Sequence, residues 1–246
     1  MLGLIVKRSQ DTATKLRISS DSQRRFIENA AHQLRTPLAG LKLQADNALH
    51  TNNLEAMQPA LVQIKAATDQ ASHLITQLLV LARSESVSQN HETFKIIDLT
   101  QLTRECCINW VPKALARDMD LGFDAPSEPL PVKGNDTLLR ELIGNLLDNA
   151  VRYGNMGGRI NVNLEVNTQV LLTVEDDGPG ISPNEVDKVC ERFYRTPGSP
   201  SNGCGLGLAI VKEIADQHAA TLTIGRSSLG QGTRIQIVFA KADRRK

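Results

Sequence analysis

Residues 141–181 read ELIGNLLDNAVRYGNMGGRINVNLEVNTQVLLTVEDDGPGI, and a change of period inside this stretch sets the architecture. As far as Tyr153 the apolar residues return every three or four positions, which predicts a helix over Asp136–Tyr153. From Ile160 they alternate strictly: Ile160, Val162, Leu164, Val166, then Val170, Leu172, Val174. That is a hairpin turning at Asn167-Thr168. Working outward, Phe94–Asp98 reads as a strand, Leu99–Arg117 as a helix and Ala125–Gly134, with its three prolines, as a loop. Downstream, a helix over Leu206–His218 precedes strands at Thr221–Ile224 and Thr233–Phe239. Helices mixed with a largely antiparallel sheet predict an α+β sandwich.

The first third of the chain has a different grammar. Ile27, Ala31, Leu34, Leu38, Leu41, Ala45 and Ala48 are spaced 4, 3, 4, 3, 4, 3, a bundle seam. A second seam runs Leu54, Met57, Leu61, Ile64, Thr68, Ala71, Ile75, Leu78, Ala82, with the regular helix expected to begin near Pro59. Joined by His50-Thr51-Asn52-Asn53, the two make an antiparallel hairpin. A lone hairpin cannot bury two seams, so a homodimeric four-helix bundle is expected. Ser84–His91 is a polar linker between the two parts.

Composition narrows the functions. Lys+Arg 28 against Asp+Glu 27 leaves +1, no field for nucleic acid or anionic membrane, and 3% aromatics make a poor base-stacking platform. Four cysteines, two of them adjacent (Cys106, Cys107), form neither a disulfide framework nor a zinc spacing, which fits a reducing cytosol. Met1–Val6 is too short an apolar run for a membrane span. The two adjacent cysteines are expected to split between core and boundary, and Trp110 to pack in the core.

Four motifs carry chemistry. His32 sits one residue past the seam residue Ala31, on the solvent side of the predicted bundle, with Pro37 interrupting the same helix. A neutral imidazole there offers a nitrogen lone pair to an electrophile. Glu141, Asn145 and Asn149, at i, i+4, i+8, form one polar stripe whose amide oxygens suit magnesium, while Leu142, Leu146 and Ala150 pack inward. Asp176-Asp-Gly178-Pro-Gly180 follows a strand and joins an acceptor to glycines that admit a planar ligand. Gly203-Cys-Gly205-Leu-Gly207 opens a helix and offers backbone N–H groups to an anion, without the lysine of a Walker loop.

Their order and combination resemble the sensor histidine kinases of bacterial two-component systems, over about residues 22–240. Within that family Phe26–Leu43 (FIENAAHQLRTPLAGLKL) is most similar to transmembrane proteobacterial sensors of the quorum-sensing and tricarboxylate-uptake type. The resemblance implies a linker over 1–22, a dimerisation and histidine-phosphotransfer domain over 23–86, and over 92–241 a catalytic domain of the Bergerat fold shared with gyrase-type ATPases. It implies that His32 attacks the γ-phosphate of ATP and passes the phosphoryl group to an aspartate in a response regulator receiver domain. Asn145 would hold Mg2+ with support from Glu141, and Asn149 and Arg152 would meet phosphate oxygens. Tyr153 and Leu206 would also belong to the nucleotide site. Asp176 would receive the adenine amino group beside Gly178 and Gly180, and Thr233 would line the adenine pocket. Arg192-Phe193-Tyr194-Arg195 matches the lid box, with Arg195 reaching phosphate, and Gly203, Gly205 and Gly207 would cradle the phosphates. The chain then reads as the cytoplasmic portion of an inner-membrane sensor, homodimeric through 23–86 and without a nucleic-acid partner.

One departure stands out. Relatives carry an acid directly after the phosphorylated histidine, and here that residue is Gln33, which orients a ring but accepts no proton. Thr36 matches a residue that positions water for dephosphorylating the regulator. A phosphatase-dominant sensor with weak kinase activity is therefore a rival reading, and a Bergerat ATPase clamp, which would need neither His32 nor the hairpin, is another. Cys204 reads as a small residue that fits, or as a redox-sensitive thiol.

Overall fold

The computed structural model describes residues 2–50, 53–87, 94–198 and 204–242, with side chains before residue 26 and at some positions of the second helix left out. The chain divides into two compact units, 1–78 and 79–246.

The first unit is helical. Helix α1 spans Leu2–Leu49 and continues through Pro37; α2 spans Leu54–Val87. The stretch expected to be a linker before residue 23 is thus continuous helix. Helix α2 begins five residues before Pro59, where a proline forfeits a single hydrogen bond, and it runs on through Ser84–Val87, so half of the expected polar linker is helical. The seams divide in a way their spacing hides. On α1 Ala30, Pro37 and Ala48 are buried and Leu34 and Leu41 half-buried, whereas Ile27 and Leu38 are 59% and 56% exposed. On α2 Ala71 and Leu74 are buried, while Leu61 and Ile75 lie open. On α2 the row of Leu61, Thr68 and Ile75 is left to solvent and the row of Ile64, Ala71 and Leu78 is covered. On α1 the division is uneven, with Ile27, Ala31 and Leu38 exposed and the buried Ala30 and Pro37 lying beside the predicted seam.

The second unit is an α+β sandwich. Strand β1 (Lys95–Asp98) leads into α3 (Leu99–Leu115), whose N-cap Asp98 accepts from the Thr100 N–H at 3.0 Å. Then come β2 (Asp120–Asp124), β3 (Pro131–Gly134), α4 (Asp136–Tyr153), β4 (Arg159–Val166), β5 (Gln169–Asp176), α5 (Gly207–Gln217), β6 (Thr221–Arg226) and β7 (Thr233–Ala240). The main sheet has the order β2-β4-β5-β7-β6, parallel only between β2 and β4; β1 and β3 pair separately. The β4–β5 register sets Val166 opposite Val170, so the turn takes in Asn167–Gln169 and centres on Thr168, one residue longer than expected. Ile160, Val162, Leu164, Val170, Leu172, Val174, Ile235, Ile237 and Phe239 are buried against Leu139, Leu142, Leu146 and Ile210 from the helices.

Three further expectations fail here. The proline-rich loop contains β3: Pro131, as the strand's first residue, withdraws no donor needed by the ladder, and Val132 is buried. Cys106 and Cys107 are both buried, because α3 lies deep enough to cover both positions. Trp110 is a half-exposed surface residue, its ring covered by the Lys113 ammonium 3.7 Å from the centroid.

Candidate functional site

Helix α4 supplies the first wall. Its stripe is not solvated: Asn145 is only 2% exposed and Glu141 and Asn149 are half-buried. The Asn145 amide donates through Nδ2 to the Glu141 carbonyl at 2.8 Å and to Glu141 Oε1 at 3.1 Å. With its nitrogen so engaged, the amide oxygen turns towards the start of α5. A Cβ placed on Gly207 would lie 3.3 Å from Asn145 Oδ1 and 3.3 Å from Asn149 Oδ1. The polar stripe and the N-terminus of α5 therefore converge, uniting two motifs almost sixty residues apart. Arg152, a turn further on, is paired with Asp148 at 2.8 Å, both about one-quarter exposed. Arg117 donates to the carbonyls of Arg152 (2.9 Å) and Gly154 (3.3 Å) and so fixes the end of α4, a role that spacing alone did not signal.

The end of β5 supplies the second wall. Asp176 is buried, and its Oδ1 accepts from the Gly178 N–H at 2.9 Å and the Thr233 N–H at 3.1 Å. Burial pushes this carboxyl above the ordinary range, while those two N–H donors pull it back towards ionisation. The glycines answer to packing as well as to ligand access. A Cβ on Gly178 would overlap the Tyr153 carbonyl, and one on Gly180, held at φ 75°, would overlap the Gln231 carbonyl. Asp177, which sequence reasoning left without a role, accepts from the N–H groups of Asn155 (3.2 Å) and Arg159 (3.1 Å). It thereby ties the loop between α4 and β4 to the residue that follows β5.

Between β5 and α5 the chain runs through turns. The Phe193 N–H donates to the Gly205 carbonyl at 2.8 Å, with both residues at positive φ (65° and 70°). For a bulky residue such as phenylalanine that conformation costs about 1–3 kcal/mol, a strain that concentrates at binding loops and switches. Arg195 is half-buried in this segment. Leu206 is fully buried, so it packs behind the loop and presents no surface to a ligand. Gly203 lies outside the described residues. Burial raises the Cys204 thiol above its usual value, which keeps it protonated and argues against a reactive thiolate. Asn145 and Glu141 offer the hard oxygen donors that magnesium prefers, so the residues present fit that ion. Among the described residues no cluster of His, Cys, Asp and Glu could hold a metal by itself.

In the helical unit His32, Gln33 and Thr36 are all exposed on α1.

Comparisons with known proteins bear on both units. Residues 22–87 match the His Kinase A (phospho-acceptor) domain, and residues 134–243 match the histidine kinase-, DNA gyrase B- and HSP90-like ATPase family. The sensor protein kinase PmrB of Pseudomonas aeruginosa is 34% identical over 229 residues, 92% of this chain and 47% of that protein. The sensor protein QseC of Salmonella typhi is 37% identical over 209 residues, 85% and 46%. The chain thus spans about half the length of the curated relatives it matches. Among solved structures a mycobacterial sensor histidine kinase, MprB, superposes with a TM-score of 0.54 at 31% identity, over 60% of this chain and 98% of that one.

Proposed function

This chain belongs to the sensor histidine kinases, and from that premise we propose that it transfers the γ-phosphoryl group of ATP to His32 and then to an aspartate of a response regulator. The observation that carries the reading is the convergence of Asn145 and Asn149 on Gly207, and a buried Asp176 held by the Gly178 and Thr233 N–H groups supports it. In the transfer a P–N bond forms to the His32 ring as the γ-phosphorus–oxygen bond breaks, and ADP leaves. Such chemistry needs positioning and charge neutralisation more than covalent help.

Asp176 accepts a hydrogen bond from the adenine amino group, with Thr233, Tyr153, Gly178 and Gly180 around it. Asn149, Arg152 and Arg195 meet phosphate oxygens, and for Arg152 that means exchanging its Asp148 partner. The glycine loop, Gly203, Gly205 and Gly207, gives N–H groups to the same phosphates, and the buried Leu206 anchors it. Asn145, backed by Glu141, holds Mg2+, which when bound offsets phosphate charge. Gln33 orients the His32 ring, and Thr36 positions water when the regulator is dephosphorylated. Residues 23–86 pair with a second copy through the exposed row of each seam. The chain works on the cytoplasmic side of a membrane sensor.

Incubation with γ-labelled ATP and magnesium tests this reading. The expected product is an acid-labile, alkali-stable phosphoprotein that disappears in His32→Ala and in Asn145→Ala. ATP hydrolysis without any labelled protein would instead support the ATPase-clamp reading.

A further inference from the structure

Glu175 and Asp176 end β5, Asp177 follows, and each of the three acids holds a different piece of chain. Asp176 gathers Gly178 and Thr233; Asp177 gathers the loop after α4. Glu175, a neighbour that alternation places on the opposite face of the strand, is buried, and its two oxygens accept from the Ser228 N–H at 3.0 Å and the Ser228 hydroxyl at 2.8 Å. The guanidinium of Arg234 lies 4.0 Å away. Ser228 belongs to the turn between β6 and β7. That turn is closed by Ser227 N–H donating to the Gly232 carbonyl at 2.9 Å and by Leu229 N–H donating to Ser227 Oγ at 3.1 Å. It delivers Thr233, one of the two donors on Asp176. The fit is close, since a Cβ on Gly232 would overlap the Asp176 carbonyl.

We propose that Glu175 is a positioning residue for recognition of the nucleotide base: by pinning the 227–232 turn through Ser228, it keeps the Thr233 N–H on the Asp176 carboxylate. The inference rests on Asp176 being the acceptor of the base. A buried carboxylate stays ionised only while donors compensate its desolvation. With the turn released, Asp176 loses the Thr233 donors, keeps only the Gly178 N–H and holds its proton to a higher pH, and a protonated carboxyl is a poorer acceptor. The other charge acting on Asp176 is the Asp177 carboxylate, which favours the protonated form, whereas Arg234 faces Glu175.

The test is titration of the full chain with ADP and magnesium, repeated from neutral to acid pH. In the wild type, affinity falls on acidification as Asp176 takes up its proton. Glu175→Ala is expected to bind ADP roughly tenfold more weakly at neutral pH, the worth of one buried charged hydrogen bond, and to shift the acid midpoint upward. Glu175→Gln, whose oxygen still accepts from Ser228, is expected to keep both close to wild type. A folded Glu175→Ala with unchanged affinity and midpoint overturns the proposal. If that variant does not fold, Ser228→Ala removes one bond at an exposed residue; a smaller upward shift supports the proposal and no shift overturns it. Asp176→Asn separates the two layers. Loss of ADP binding there with none in Glu175→Ala sinks the positioning claim alone, whereas full binding in Asp176→Asn sinks the base assignment beneath it.

Discussion

The helical and α+β units bury their apolar residues to very different degrees. In the sandwich the inward residues of β4, β5 and β7 are buried except the half-buried Val166 at the hairpin end, and α4 hides Leu139, Leu142, Ile143, Leu146 and Leu147. In the hairpin Ile27, Leu38, Leu61 and Ile75 all face solvent, although the seam spacing marks them as core. The sandwich closes its sheet-facing core within one chain, although Ile108 and Leu115 on α3 stay open, whereas the hairpin leaves part of each seam uncovered. A seam read from sequence states which residues want burial and is silent on whether the same chain or a second copy provides it.

The strongest way to break this contrast is to charge the open row. Leu38→Asp with Ile75→Asp is expected to convert a dimer to a monomer, read by sedimentation or light scattering, with the sandwich still binding ADP. A dimer that survives the change places the interface elsewhere. A cavity sharpens the same contrast from the other side. Leu142→Ala should destabilise the sandwich by about 2–5 kcal/mol in urea unfolding, as buried leucines do. Leu38→Ala should leave that transition where it is.

The sandwich was the more legible unit for the same reason. Strict alternation located β4, β5 and their turn, and the 3.6 period located α4 from Asp136 to Tyr153. Strand β3 escaped because it has four residues and starts at a proline, and the roles of Asp177, Arg117 and Glu175 escaped because their partners are distant in sequence. Motif spacing does mark Asn145, Asn149 and Gly207 individually. That they meet is a property of how α4 packs on α5.

A smaller effect concerns the residue after His32. If Gln33 limits the rate by lacking a basic oxygen, Gln33→Glu should raise autophosphorylation, up to the 10²–10⁴-fold typical of general-base assistance. An unchanged rate would mean that the position only orients the ring.

The smallest effect is a pH dependence confined to the sandwich. His218 is buried under the Phe94 ring; its Nε2 accepts from the Asn135 N–H at 3.1 Å, and its Nδ1 lies 2.7 Å from the Ile214 carbonyl and must donate. Burial holds this imidazole below its ordinary value. The fold therefore favours the neutral ring, and the unfolded chain protonates first on acidification. The stabilisation is complete above about pH 6.5, the ordinary imidazole value, and is lost as pH falls through the lower folded value. The urea midpoint of the sandwich should drop across that window, and His218→Asn should flatten the drop. A midpoint that rises on acidification contradicts the assignment of Nε2 as acceptor.

The central claim is best tested by locating the phosphate itself. After incubation with ATP and magnesium, tandem mass spectrometry of peptides kept at neutral to alkaline pH should find the phosphoryl group on His32. Phosphate on a different side chain, or none while ATP is consumed, would contradict it.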